Sequence, residues 1–322
     1  MKIYRKLFAL ASAVLFTGVV AAQAFPSKPI KIIIPFAAGG TADPIARILA
    51  DVIEKKTGAK FIIEAKPGAG GNIGNQFVAN ADKDGYTILL GANNNYVVNQ
   101  FLFPRGSVDV AKQFDLISIL VDQPQVIYVR SDFPAKSFKE LVAYVKDKPG
   151  MLNYASPGPG SAPHLAGEVL SDEYGLSMVH IPFKGGAPAV TALIAGDVQL
   201  YMASLSVGKA FVTSGKLRAL GTTSAVRMSA MPDLVTTKEL GYPNYNVINW
   251  WALAAPKGTP AANLQWIHKE FTEALKAPGV ANRLEELGFV MNGSTPAQFE
   301  QRFQTESKSY ETLIKKRKIS PE

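Results

Sequence analysis

The hydrophobic positions of this chain follow a plan that recurs along the sequence. A run of β-branched and apolar residues leads into a glycine-rich turn, and the turn opens an amphipathic segment, as in parallel α/β layers. The plan begins at residues 30, 61, 152 and 178. The four units share no fixed period, so they predict doubly wound α/β lobes and not a solenoid.

The first unit gives the clearest helix signals. After the strand-like run IKIIIPF (30–36) and the turn AAGGTAD (37–43), Asp43 and Pro44 suit the cap and first turn of a helix, and Gly58 suits its end. We therefore expect Asp43 to act first of all as a structural cap. One face of this predicted helix is apolar and consists of Ile45, Ile48, Leu49, Val52 and Ile53.

Two extended apolar runs, residues 116–130 and 245–256, are not followed by a helical pattern. We interpret them as connections between two lobes, so that the chain crosses twice and the first lobe is discontinuous. The predicted first lobe comprises residues 25–123 plus 250–322, and the predicted second lobe comprises residues 124–249. Two amphipathic helices are expected in the tail after residue 260.

Residues 1–24 have the pattern of a cleavable signal peptide. A basic start precedes an apolar stretch, and the small residues Ala22 and Ala24 flank a cleavage point. We expect the mature protein to begin near Phe25 and to reside in the periplasm. An uncleaved anchor is the alternative, but the apolar run is short for a membrane span of roughly 20 residues.

Composition narrows the possible functions. The chain has no cysteine, which excludes disulfides, thiolate chemistry and a lipid-modified cysteine anchor. Loss of Lys2, Arg5 and Lys6 with the signal peptide removes three of the eight net positive charges and leaves +5. The remaining cations form no dense Lys/Arg run, so a small anion is favoured over nucleic acid as a partner.

Two glycine-rich turns, residues 37–43 and 156–164, fall one in each predicted lobe and open predicted helices. Helix N-termini present unpaired N–H groups and partial positive charge, so two such turns facing a cleft suit the two ends of a dianion. Either turn alone is equally typical of ordinary strand-to-helix geometry. The polar run at residues 93–95 is a further candidate, with a solvated loop as its alternative. Four aromatic residues are candidates for an apolar wall, with plain core as their alternative: Phe36, Tyr154, Phe183 and Trp250.

Enzyme interpretations each lack a necessary part. The run GAGGNIG (68–74) misses the spacing of the dinucleotide fingerprint, and no Walker-type lysine follows any glycine loop. Ser161 and His164 have hydrolase-like spacing, but no nucleophile elbow surrounds the serine and no orienting acid is identifiable. No histidine and carboxylate cluster has metal-ligand spacing. We expect no catalysis, no cofactor and no metal; a hydrolase that uses Ser161 stays open as the alternative.

Ordered blocks across nearly the whole mature chain resemble one family, the tripartite tricarboxylate transporter receptors, or Bug-type solute-binding proteins. The resemblance rests on FPSKPIKIIIPFAAGGTADPIARILA, EAKPGAGGNIGNQFVANADKDGYTILLG, NYASPGPGSAPHLAGE, VHIPFKGGAPAVTALIAGDVQ and GKLRALGTTS. It implies a type II periplasmic binding protein fold, with two doubly wound lobes joined by two crossing strands and a ligand cleft between them. It also implies capture of a small dicarboxylate, tricarboxylate or aromatic acid for a two-component membrane permease.

The resemblance carries over to particular residues. The loop after the first strand would hold one carboxylate, and the helix-opening loop of the second lobe would hold the distal group. The full set of expected ligand-binding residues is Phe36, Ala38, Gly39, Gly40, Thr41, Asp43, Asn93, Asn94, Ser156, Gly160, Ser161, His164 and Ser204.

This sequence departs from the family pattern in two places. PFAAGGTAD stands where many relatives have PFPPGGGTD, which shifts Thr41 by one position. Ala203 and Ser204 replace an Asp-Asn-type pair, and the loss of that carboxylate suits a ligand without an amino group, or one with an extra acid or an aromatic ring.

We expect the protein to be a monomer. A receptor that signals through a sensor protein, instead of delivering its ligand to a permease, is a further alternative function.

Overall fold

Two β-sheets organise the chain in the computed structural model, which describes residues 25–321. The predicted signal peptide, residues 1–24, lies outside the described residues. The strands in chain order are β1 (Ile30–Ile34), β2 (Phe61–Ala65), β3 (Thr87–Ala92), β4 (Phe114–Pro124), β5 (Val126–Arg130), β6 (Leu152–Ser156), β7 (Met178–Pro182), β8 (Leu200–Ala203), β9 (Leu217–Thr222), β10 (Ile248–Pro256) and β11 (Val290–Met291).

Helices connect most of these strands. In chain order they are α1 (Ala42–Thr57), α2 (Asn72–Ala79), α3 (Asn99–Leu102), α4 (Val110–Gln113), α5 (Phe138–Asp147), α6 (Ala162–Tyr174), α7 (Gly186–Ala195), α8 (Leu205–Thr213), α9 (Ala261–Leu275), α10 (Val280–Glu286) and α11 (Pro296–Arg317). The two tail helices expected from the sequence are α9 and α11. In residues 25–321, no helix has both the length and the hydropathy needed to cross a membrane.

The two sheets have the same internal order. The first sheet runs β11-β4-β10-β3-β1-β2, and the second runs β7-β6-β8-β5-β9. In each sheet three parallel strands are followed by one antiparallel strand, β10 in the first and β5 in the second. Such sheets have a topological switch point where consecutive helices leave toward opposite faces, and ligands of α/β proteins bind at the carboxyl ends of the strands there.

Apolar side chains fill both faces of each sheet. The first sheet packs against α1, α9 and α10 on one face and against α11 on the other. The second sheet packs against α5 and α6 on one face and against α7 and α8 on the other. This layering confirms the prediction of two doubly wound α/β lobes.

Helix α1 follows the sequence pattern except at its start. The predicted apolar face is buried, with Val52 partly exposed, and Gly58 ends the helix with a φ of +78°, a conformation that favours glycine. The helix nevertheless begins at Ala42 with Thr41 in the N-cap position. The prediction that Asp43 is the cap was therefore wrong, because the helix is capped two residues earlier, at Thr41, which places Asp43 inside the first turn.

The chain passes between the sheets at two places. Only Gln125 separates β4 of the first sheet from β5 of the second, and the chain leaves β9 at Thr222 and re-enters the first sheet at Ile248. Strands β4 and β10 pair antiparallel over their length, with Ile248 opposite Pro124. The two crossing strands therefore lie side by side.

Candidate functional site

A cavity of about 260 Å³ lies where the carboxyl ends of the strands of both sheets meet. It receives residues from both predicted lobes and from the two crossing strands. The lining residues are Phe36, Thr41, Ala92, Asn94, Gln123, Gln125, Pro157, Ser161, Ala162, Pro163, Gly186, Tyr201, Ala203, Ser204, Val207, Asn249 and Trp251.

Four helix N-termini reach this cavity wall. Thr41 is the N-cap of α1, Ser161 that of α6 and Ser204 that of α8, while Gly186 is the first residue of α7. Each N-terminus has N–H groups without partners in its own helix and a partial charge of roughly +0.5. The cavity is thus electropositive through backbone groups, which suits a carboxylate or a phosphate.

Of the described residues that line the cavity, none is ionisable at neutral pH. Tyr201 has the most acidic side chain among these lining residues, and burial raises the pKa of its phenol group. The nearby carboxylate of Asp43 is 9% exposed and accepts a hydrogen bond from the backbone N–H of Gly39. Asp43 therefore stabilises the loop that precedes its own helix. The Gly39 N–H, which the family resemblance assigns to a ligand, already donates to Asp43.

The structure brings together five of the thirteen expected ligand-binding residues in the cavity lining: Phe36, Thr41, Asn94, Ser161 and Ser204. The other eight are Ala38, Gly39, Gly40, Asp43, Asn93, Ser156, Gly160 and His164. Ala38, Gly39 and Gly40 form the exposed tip of the first loop, while Asn93 is buried at 1% exposure and does not line the cavity.

His164 lies on the far side of the second-lobe loop, where it stabilises the loop itself. Its Nδ1 accepts a hydrogen bond of 3.0 Å from the N–H of Gly160, and its ring stacks on His180 with a centroid separation of 3.8 Å. The Nε2 of His180 is 2.6 Å from the hydroxyl of Ser156. Burial lowers the pKa of His164, and burial followed by the neighbouring His164 lowers the pKa of His180 to about 4.

Gly160 is a position that requires glycine. Its φ is +74°, and a Cβ built there would come within 2.5 Å of Leu102 Cδ2 in the first lobe. The second-lobe loop thus lies close to the side chain of Leu102 in α3, and the positive φ of Gly160 strains any other residue there. Gly160 and Ser156 shape this loop, whereas Ser161 at its end lines the cavity.

The side chains of Ser161 and His164, whose spacing suggested a hydrolase, do not form a nucleophile-base pair. The hydroxyl of Ser161 donates to the carbonyl of Gly158 at 2.6 Å, while Nδ1 of His164 is occupied by Gly160. Residues 25–321 also contain no group of three histidine, cysteine or acidic side chains placed to hold a metal ion.

Sequence reasoning missed the contribution of the crossing strands. Gln123, Gln125, Asn249 and Trp251 all line the cavity, and each polar side chain interrupts a run that otherwise reads as apolar strand. The polar interruptions in DQPQ and NVINWW were the available signal. Asn249 and Gln123 are 126 residues apart in the chain and face each other only because of the register between β4 and β10. A single sequence does not show that register.

The apolar part of the wall comes from Phe36 and Trp251, whose rings meet edge to face at a centroid distance of 5.6 Å. Trp250, expected in this role, points to the opposite face of the sheet and stacks on Tyr96. Successive side chains of a strand alternate between faces, so the tryptophan pair contributes one ring to the core and one to the cavity.

Two α/β lobes that enclose an anion-attracting cavity beside two crossing strands define the class of periplasmic solute-binding proteins. The particular family follows from comparison: the tripartite tricarboxylate transporter family receptor profile matches residues 45–319, and the chain belongs to that family. A UPF0065 protein of Bordetella pertussis is 38% identical over 267 residues, covering 83% of this chain and 82% of the relative. Protein BugT of the same species is 32% identical, covering 86% of this chain and 84% of BugT.

Solved structures show the same fold. Rpa4515 of R. palustris, determined with adipate, matches with a TM-score of 0.82 and 28% identity, covering 92% of this chain and 100% of that one. MatC of Rhodopseudomonas palustris, determined with bound malate, matches with a TM-score of 0.77 and 29% identity, covering 90% of this chain and 100% of that one. The type II periplasmic binding protein fold expected from the sequence is confirmed.

Proposed function

We propose that this protein captures a small organic carboxylate in the cavity between its lobes and delivers it to a two-component permease of the tripartite tricarboxylate type. The observation that carries this proposal is the convergence of four helix N-termini on one cavity. One N-terminus belongs to the first lobe and three belong to the second, so a dianion between them meets partial positive charge from both sides.

The absence of ionisable side chains in the described lining favours the same ligand class. An amino acid ligand needs a carboxylate partner for its ammonium group, and the nearest candidate, Asp43, is engaged with Gly39. A neutral sugar would leave the helix N-termini without an anionic partner. A carboxylate without an amino group matches the wall, and two similar proteins were determined with such acids, adipate and malate.

The energy of the expected contacts agrees with such a ligand. Hydrogen bonds to a charged group contribute about 1.5–3 kcal/mol each, so three or four of them cover the roughly 8 kcal/mol of micromolar affinity before entropy costs. The rings of Phe36 and Trp251 supply apolar contact that offsets those costs. Closure of the lobes over the ligand would then form the surface that a permease distinguishes from the empty receptor.

A thermal-shift screen of the mature protein tests the proposal. The panel contains mono-, di- and tricarboxylates and aromatic acids, each beside its uncharged amide. A ligand at 100 times its dissociation constant adds about 2.7 kcal/mol to the free energy of unfolding, so one acid class should raise the melting temperature and its amide should not. Equal shifts by acid and amide, or no shift by any acid, would contradict carboxylate capture. Uptake of the identified acid by cells with and without the receptor gene then tests delivery to a permease.

A further inference from the structure

Two polar side chains on the crossing strands are left with incomplete hydrogen bonding. Gln123 on β4 and Asn249 on β10 are 3% and 8% exposed, and both line the cavity. They are directly opposite each other in the antiparallel register. Within the described residues, the Nε2 of Gln123 and the Oδ1 of Asn249 are buried without a hydrogen-bond partner.

The orientation of both amides follows from the chemistry of their neighbours. The indole N–H of Trp251 donates to Oε1 of Gln123 at 3.2 Å, and Nδ2 of Asn249 donates to the same oxygen at 2.9 Å. An indole nitrogen can only donate, so the oxygen of Gln123 must face Trp251. With the oxygen fixed there, Gln123 presents a donor and Asn249 presents an acceptor, and an amide flip would break these bonds.

An unpartnered donor and an unpartnered acceptor on neighbouring residues call for one particular kind of group. Native proteins rarely leave buried polar atoms without partners, because such atoms have lost their hydration. A carboxylate can only accept, and an ammonium group can only donate. Of these three groups, which small organic acids commonly carry, only a hydroxyl group both donates and accepts, so it can satisfy both atoms.

The cavity therefore has two chemically different parts. The helix N-termini of α1, α6, α7 and α8 provide donors for a carboxylate, and the Gln123–Asn249 pair provides a donor and an acceptor together. The side-chain amide of Asn93 is also without a hydrogen-bond partner among the described residues. Asn93 does not line the cavity, however, so it belongs to neither part.

We propose that the ligand of this receptor is a hydroxy acid, whose carboxylates face the helix N-termini and whose hydroxyl group lies between Nε2 of Gln123 and Oδ1 of Asn249. This inference rests on the proposed function and makes it more specific. It excludes unsubstituted aliphatic and aromatic acids as the best ligands.

Calorimetric titration of the mature protein with matched pairs of acids tests the inference. The pairs are malate against succinate, 2-hydroxyglutarate against glutarate, and mandelate against phenylacetate. In the best-binding pair, the hydroxy acid should bind at least about tenfold more tightly than its unsubstituted partner. A tenfold difference in affinity corresponds to ~1.4 kcal/mol of binding free energy. In Asn249→Leu, which lacks the acceptor, this preference should fall to about twofold or less. Asn246→Leu is the matched control, because Asn246 is exposed in the same connecting segment and does not line this cavity.

The outcomes separate this inference from the proposed function. If acids bind but each hydroxy acid binds no better than its partner, the hydroxyl site is refuted and carboxylate capture stands. If no acid in this set or in the wider panel binds, the proposed function fails and the inference fails with it. The acid pairs give this answer with the unaltered protein, so the result does not depend on the folding of any variant.

Discussion

Substitution of Ser204 by aspartate should separate ligand binding from stability. Ser204 is the N-cap of α8, with φ −60° and ψ 155°, and its hydroxyl is 3.2 Å from that of Ser206. Aspartate is as favourable as serine at an N-cap and its charge complements the helix dipole, so the unliganded fold should be equally stable. The same charge would lie on the wall of a cavity that has no cationic side chain among its described lining residues.

The size of the binding defect can be worked out from the cavity. A sphere of 260 Å³ has a radius of about 4 Å, so the added carboxylate would be roughly 6 Å from a bound one. At an effective dielectric constant of about 20, two like charges at that distance repel by about 2.8 kcal/mol. This corresponds to an approximately hundredfold loss of affinity.

The assay is calorimetric titration of the best acid from the panel, with Ser204→Asn as the control of similar shape and no charge. The asparagine variant should bind within about threefold of the unaltered protein, because asparagine is an equally good cap. Raising the ionic strength should recover part of the affinity of Ser204→Asp, since screening weakens the repulsion. If both variants bind equally well, the N-terminus of α8 does not face the bound anion and the electrostatic account of the cavity is wrong.

Two further predictions concern stability. Because the folded-state pKa of His180 is lowered to about 4 from an ordinary value near 6.5, the unfolded chain binds more protons between those values. The free energy of unfolding should fall by about 2 kcal/mol as pH drops through that window, a figure reduced for the partial exposure of the ring. Denaturation of His180→Asn across the same pH range should show a flatter dependence; an unchanged slope would assign the effect to other groups. Arg317→Met should reduce the free energy of unfolding by about 2 kcal/mol, because Arg317 Nε donates at 2.7 Å to the buried carboxylate of Glu168. Adding Glu168→Gln should recover most of that loss in urea denaturation, and a further loss in the double variant would contradict the pairing.

The fold was predictable from this sequence because its signals are local. Strand, glycine turn and helix follow one another within about 25 residues in each repeated unit, so periodicity alone indicates the layers. The start of α1 was misplaced by two residues, since cap positions depend on the turn geometry that Gly39 and Asp43 create together. Such details depend on contacts that periodicity does not record.

The candidate site was predictable only in part. Thr41 and Ser161 follow from strand-to-helix turns, Asn94 follows from a polar run after a strand, Ser204 was expected from the family resemblance, and each of these residues lines the cavity. Gly186 lies in an equivalent turn, KGG, which opens α7 and also lines the cavity. The orientation of His164 was not predictable, because its ring packs against His180, which belongs to a neighbouring strand. Gln123 and Asn249 meet only through β4–β10 pairing, a long-range property of the folded sheet.

The helix N-termini around the cavity are divided three to one between the lobes, and this inequality suggests an order of events. In an open receptor, the second lobe still presents α6, α7 and α8 to an incoming anion, whereas the first lobe presents α1 alone. The ligand should therefore dock on the second lobe, with the first lobe closing afterwards as a lid. Release should run in reverse: withdrawal of α1 would expose the acid to solvent while α6, α7 and α8 still hold it on the surface of the second lobe.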